Sequence, residues 1–379
     1  MAETGNTVSA TFSSPGEVMA TNTSSEFTSE AAGFAPAEGE EPRAIAGRSP
    51  WYLAWRRLRR NYVALGFLAL FILIVFCCLC APLYSRYVAD RGPNDGNLSG
   101  TITVNGKQVP VVSTGHVNTN GTFKVGGIPV GPQLLAAGGK YALGADTQGR
   151  DIAVRLLYGG LTSLLIGIGS ALICTIVALV LSLLAAYYGG KSDWVISRFY
   201  DIIWAFPVLL LAIALGTALA LNGLNLGPIH LSSGSLWIPT LIISFVLIPY
   251  IGRPLRGQLL SLREKEFVEA ATAQGASPLR IMFAEMLPNV ASTVLVFFTL
   301  IIANNILTEA ALSFLGAGVQ PPNASWGNLI SDGDNLITSD PWFALAPGIA
   351  LVLTVLSLNV FGDGLRDALD PRSTVKLEH

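Results

Sequence analysis

Six apolar stretches punctuate the chain, near residues 63–83, 162–187, 203–221, 236–252, 290–310 and 343–361. Each is close to the roughly 17–25 residues that a helix needs to cross about 30 Å of hydrocarbon. The fourth is the shortest, and Pro239 and Pro249 blur its ends; Asn304, Asn305 and Glu309 soften the end of the fifth. Between the first two stretches lies a long polar segment, 84–157. Within it Thr101 to Val112 alternates around Asn105-Gly106, a two-residue hairpin signal, and Asn120-Gly121 suggests a second turn. The pattern predicts an all-α polytopic membrane protein with six transmembrane helices and a small external β insert, too small to be a catalytic domain of its own. No long internal repeat is present.

Composition agrees. Of 379 residues, 51% are hydrophobic and 13% charged, against roughly 25% charged in soluble domains. Residues 1–48 are rich in Ser, Thr, Ala, Gly and Glu, which predicts a disordered tail; they lack the basic start and apolar run of a cleavable signal. Residues 49–62 predict a basic juxtamembrane helix, with Arg56, Arg57, Arg59 and Arg60 next to the first span and against anionic lipid rather than nucleic acid. Placing the N-terminus inside puts 16 of the 23 Lys and Arg on the cytoplasmic side. The rest fall in the long first external segment or the short helix ending it. Both termini are therefore expected in the cytoplasm.

That orientation puts the largest cytoplasmic loop, 253–289, between spans four and five. In it Phe267, Val268, Ala271 and Gly275 fall on one helical face. Gly275 is a C-terminal stop, and Ser277-Pro278 offers an N-cap and an N1 residue, so a second helix restarts at an angle. Two short helices at an elbow, with small alanines, form either a docking protrusion or an ordinary amphipathic loop, and this stretch alone does not separate them.

Candidate chemistry is sparse. Cys77, Cys78, Cys80 and Cys174 sit in apolar runs and read as small buried hydrophobes, and His116, His230 and His379 are far apart, so no metal site is expected. Ala185 to Ser192 fits a loose phosphate-loop pattern but leaves a transmembrane helix rather than a strand, so Lys191 reads as an interfacial charge. Hydrolase signatures are missing, and the chain is read as a non-enzyme. Glu309 either lines a solute path or packs between helices, and Asn305 accompanies it. Asp201 reads as interfacial, with Arg198 one turn before it. Gly167 and Gly169 read as close-packing positions between helices.

Several segments resemble dipeptide and oligopeptide permeases of the ABC importers. They are Leu143-Gly-Ala-Asp146-Thr-Gln-Gly149-Arg150-Asp151 running into Arg155 and Tyr158-Gly159, and Asp201-Ile-Ile-Trp-Ala-Phe206-Pro207. Glu309 to Gly316, Gln320 to Gly327 and Gly362 to Arg372 resemble the same permeases. The elbow is similar to the loop by which these permeases dock on their ATPases: Glu269, Ala270 and Ala271, then Gly275, then Leu287-Pro288, with Glu285 where isoleucine is usual. The likeness covers 141–372 well and 50–100 loosely.

The resemblance implies a C-type permease subunit of a type I importer in a prokaryotic inner membrane, carrying di- or oligopeptides. Its implied partners are a homologous B-type permease sharing a central solute path, two ATPases that hold ATP and Mg, and an extracytoplasmic peptide-binding protein. It implies ATPase coupling through Phe267, Glu269, Ala270, Ala271, Gly275, Leu287 and Pro288. A path lined by Glu309 and Asn305, and an external gate or binding-protein contact at Asp146, Arg150, Asp151 and Trp326, are further expectations. No cofactor is implied on this chain. Nickel or another chelated metal is an alternative cargo, and a receptor or scaffold without transport is an alternative class.

Overall fold

The computed structural model describes residues 50–104, 106–114, 127–133, 139–338 and 340–370. The expected tail, Asn105, the turn at Asn120-Gly121, His116, and residues 371–379 with His379 lie outside them.

Helix α1 (Pro50–Leu58) precedes α2 (Tyr62–Leu79), whose start is capped by Asn61 accepting from the Ala64 N–H at 3.0 Å. A short helix α3 (Ala81–Tyr84) and a π turn (Ser85–Ala89) lead into the insert. There β1 (Thr101–Val104) pairs antiparallel with β2 (Lys107–Pro110), closed by the pair Val104 and Lys107. Strand β3 (Val112–Thr114) pairs with β4 (Gly127–Pro129). Ile102, Val111, Val112, Tyr141 and Ala145 form the insert's own small core.

The remaining helices are α4 (Ile152–Tyr188), α5 (Gly190–Trp204), α6 (Val208–Asn222), α7 (Trp237–Arg263), α8 (Glu266–Ala273), α9 (Pro278–Arg280), α10 (Leu287–Phe314), α11 (Trp326–Asp334) and α12 (Trp342–Leu369). A two-stranded hairpin, β5 (Leu224–Leu226) with β6 (Ile229–Leu231), joins α6 to α7. Among the described residues five helical runs are long and apolar enough to cross a membrane, and α5 with α6 makes a sixth as a pair bent by 83°.

Four boundaries depart from the hydropathy reading. Helix α4 starts ten residues early, because Asp151 caps it and its first turns are buried. The third span does not run straight through from 203. Pro207 has no N–H to give and its ring clashes with the preceding turn, so α5 stops at Trp204 and the chain bends before α6. Helix α7 continues through Pro249 and Pro254 to Arg263. The elbow's second arm does not end at Pro288 but runs unbroken from Pro278 to Phe314, with a π turn (Ile281–Met286) just ahead of the proline.

The core sits where α4, α7 and α10 meet, and it is built on small residues, as expected where lipid supplies no hydrophobic drive between helices. A Cβ on Gly167 would overlap Ile306 Cγ1, so α4 and α10 approach closely there. Gly169 leaves ordinary room, its virtual Cβ lying 3.6 Å from Thr240. Buried hydroxyls cross-link the helices: Ser182 on α4 donates to the Gly252 carbonyl of α7 at 3.0 Å, and Ser244 on α7 to the Ser170 carbonyl of α4 at 3.2 Å. Arg256 grips Asp193 through both its Nε and Nη2, and Arg253 donates to Asp201 at 2.8 Å, tying α5 to α7. Arg198 also pairs with Asp201, at 3.2 Å.

Candidate functional site

The elbow is built from local signals. At the end of α8 the Gly275 N–H donates to Thr272 O at 3.0 Å and the Ala276 N–H to Ala271 O at 3.1 Å, the paired bonds of a Schellman stop. Gly275 adopts φ +77°, a left-handed conformation that disfavours any side chain although space is open around it. Ser277 Oγ then accepts from the Arg280 N–H at 3.4 Å, and Pro278 occupies the first helical position.

Of the four residues that periodicity places on one helical face, only Val268 is buried, packing with Leu183, Leu259, Ile281, Met282 and Met286. Ala271 is half-buried, and Phe267 and Gly275 face outward with Glu269 and Ala270. Leu287 is half-buried and Pro288 exposed. The first arm therefore stands on one buried anchor and presents most of its surface, while the second is seated through Ile281, Met282 and Met286. Glu285 is half-buried and outside that apolar cluster, which explains how a carboxylate is accommodated where isoleucine is usual. Beside the elbow, Tyr187, Tyr188, Arg263 and Glu264 join Glu269 and Thr272 around a groove of about 440 Å³.

At the opposite end of the bundle Asp146 Oδ1 accepts from the N–H groups of Gln148 and Arg150, both at 2.9 Å, and Oδ2 accepts from Arg150 Nε at 2.6 Å. Asp151 caps α4, accepting from Ala153 N at 2.9 Å and Val154 N at 3.2 Å, and it also holds Tyr141 N at 2.6 Å. Burial pushes the Asp151 carboxyl above the usual carboxylate range, more than these N–H groups pull it down. Trp326 opens α11, its N–H on Ser163 Oγ and its Nε1 on Leu156 O, both at 3.1 Å. Its ring lies over Gly160, where a Cβ would come within 2.7 Å.

Three of the residues expected at an external contact are thus interior. Asp146, Asp151 and Trp326 are buried, because they close the loop onto α4 and seat α11 on it. Arg150 is only 12% exposed at its side chain. The accessible member of this cluster is Asp332 on α11, 3.9 Å from Arg155 Nη2 and 4.0 Å from Arg150 Nη2. Sequence reasoning missed it; the available signal was the spacing of Arg155, one turn inside a helix capped by Asp151.

The expected path residues are interior as well. A path shared by two subunits is a surface of either one alone, yet Glu309 and Asn305 are wholly buried in this single chain. Asn305 lies 2.7 Å from Ser170 Oγ on α4. Glu309 accepts from Ser313 Oγ at 2.6 Å. Both face the inside of this chain because α10 turns this side toward α4 and α11.

Comparison with known proteins fits this architecture. A family described as the binding-protein-dependent transport system inner membrane component matches residues 178–375. The N-terminal transmembrane domain of oligopeptide transport permease C matches residues 49–99. The dipeptide transport system permease protein DppC of Alkalihalophilus pseudofirmus is 36% identical over 324 residues, covering 86% of this chain and 90% of that one. The oligopeptide transport system permease protein OppC of Escherichia coli K12 is 34% identical over 333 residues, covering 88% and 94%. The glutathione transport system permease protein GsiD of Pectobacterium atrosepticum is 33% identical over 325 residues, covering 86% and 92%. With a helical bundle of this kind and these matches, the chain belongs to the family of binding-protein-dependent transport system inner membrane components, as a multi-pass permease subunit of the ABC-importer type.

Proposed function

We propose that this chain is one half of the translocation unit of an ATP-driven importer of di- or oligopeptides, coupled to cytoplasmic ATPases through the elbow. The observation that carries the reading is the elbow's form. Both arms are capped, the first is anchored through Val268 and largely exposed, and the second is seated through Ile281, Met282 and Met286 and continues without a break into a membrane-spanning helix. A push on Phe267, Glu269 and Ala270 is then delivered to α10 and to the α4–α7 core as a rigid displacement rather than lost in a loop. Leu287 and Pro288 lie on the continuous arm that transmits it. ATP and Mg sit on the two partner ATPases; a homologous permease completes the path; and a binding protein brings cargo to the opposite end, where Asp332 rather than Trp326 offers an accessible contact. The charge distribution supports both termini being cytoplasmic.

Relatives named for dipeptides, oligopeptides and glutathione support a peptide cargo here. Co-purification of the assembled complex, with calorimetric titration of its binding protein against a peptide panel and nickel chelates, tests both parts. Partner ATPases and peptide affinity are expected. A complex without ATPases, or a binding protein that takes only chelated metal, overturns the corresponding part.

A further inference from the structure

Most of the accessible surface of the spans is hydrocarbon. Leu165, Leu172, Ile176 and Val180 are exposed along α4, and Ile72, Leu73 and Phe76 along α2, as lipid requires. One face is different. Tyr250 on α7, Asn304 on α10 and Asn359 on α12 converge on an open groove of about 230 Å³, with Leu300, Leu307 and Val355 between them. Tyr250 is 39% exposed, and both asparagines are partly exposed.

These groups lie deep in the spans. At 1.5 Å per residue, Asn304 is roughly 15 Å from the α10 end at Phe314 and Asn359 roughly 15 Å from the α12 end at Leu369. Among the described residues, none of the three side chains has a hydrogen-bond partner within the chain. Two carboxamides and a phenol cannot be left unpaired against acyl chains without a large penalty. They must meet water, another chain or a solute.

The groove also continues. On α10, Ser292, Val296, Leu300 and Asn304 repeat every four residues and so share one face. Leu300 lines both this groove and a second of about 320 Å³ toward the elbow end, where Gln258 adds a further amide and Arg366 and Asp370 bring charge. A stripe that is polar at depth and more polar at one end fits a watered channel open to that end, rather than a dry helix interface.

We propose that this α7–α10–α12 face is the chain's wall of the solute path, with Tyr250, Asn304 and Asn359 offering hydrogen bonds to the backbone amides of a passing peptide. These three groups are uncharged, so they contact what all peptides share and take no part in choosing their side chains. The inference rests on the importer reading above and replaces Glu309 and Asn305 as lining residues.

The test uses the full complex in proteoliposomes, with Cys77, Cys78, Cys80 and Cys174 replaced and single cysteines introduced as Asn304→Cys, Asn359→Cys and, on the lipid face, Leu165→Cys. Each is treated with a membrane-impermeant sulfonate methanethiosulfonate, with and without ATP. The groove cysteines are expected to react at least tenfold faster than the Leu165 position in one nucleotide state, and their modification to block tripeptide uptake. Reaction no faster than the Leu165 position in any state, in a complex that still transports, overturns the assignment while leaving the importer reading intact. Crosslinking of Asn304→Cys to the partner permease without labelling also overturns it, because the face is then a dry subunit contact. Labelling depends on water access and not on cargo, so a cysteine-free parent that assembles but takes up no peptide counts against the importer reading alone.

Discussion

Replacing Asp151 by alanine separates a structural role from a contact role at the end opposite the elbow. The carboxylate is wholly buried and holds three backbone N–H groups, those of Tyr141, Ala153 and Val154. Loss of an N-cap of this kind costs about 1 kcal/mol, and a buried N–H left without an acceptor costs a further 1–3 kcal/mol or so. The alanine variant should therefore lose about 2–4 kcal/mol, which lowers an unfolding midpoint by on the order of 5 °C or more. Asp151→Asn keeps the shape and one acceptor oxygen, and should fall between the two. Thermal unfolding of the purified complex, followed by size-exclusion fluorescence, reads the effect, with binding-protein affinity measured alongside at a temperature where all variants are folded. A variant as stable as the parent but weakened in binding-protein affinity would refute the capping account and return Asp151 to the contact surface.

Gly167→Ala sets a methyl group against Ile306 and should cost about 1–3 kcal/mol. Combined with Ile306→Ala it should cost at least about 1 kcal/mol less than the two single changes summed, in a double-mutant cycle on the unfolding midpoint. Glu309→Gln should leave the ratio of uptake rates for cationic and anionic peptides unchanged, because Glu309 faces Ser313 inside the subunit and not the path; a shifted ratio would restore it to the lining.

The elbow was legible because its signals are local. Gly275, Ser277 and Pro278 each do in the structure what their own backbone preferences dictate, with no help from distant contacts. Number and position of the spans were legible from hydropathy, but their ends were not. A sliding count of apolar residues passes over Arg155, which lies inside α4 only because Asp146 and Asp332 stand beside it. The same count reads straight through Pro207, where backbone sterics bend the chain. Helix α10 shows what sequence leaves open. Asn304 and Asn305 are neighbours about 100° apart on the helix; one meets Ser170 in the interior and the other opens on a groove. Which is which depends on how α10 packs on α4, a long-range fact that periodicity in an almost uniformly apolar helix does not encode.

The central claim is that the elbow carries force between motor and membrane. Glu269 is exposed on its outer surface, and Gly275 holds a φ of +77° that proline, fixed near −65°, does not adopt. The most direct measurement is ATP-driven peptide uptake by the reconstituted complex carrying Glu269→Arg or Gly275→Pro, with membrane insertion and peptide capture by the binding protein checked in the same preparations. Uptake should fall at least tenfold in both while insertion and capture stay at parental levels; normal uptake in both would contradict the coupling role.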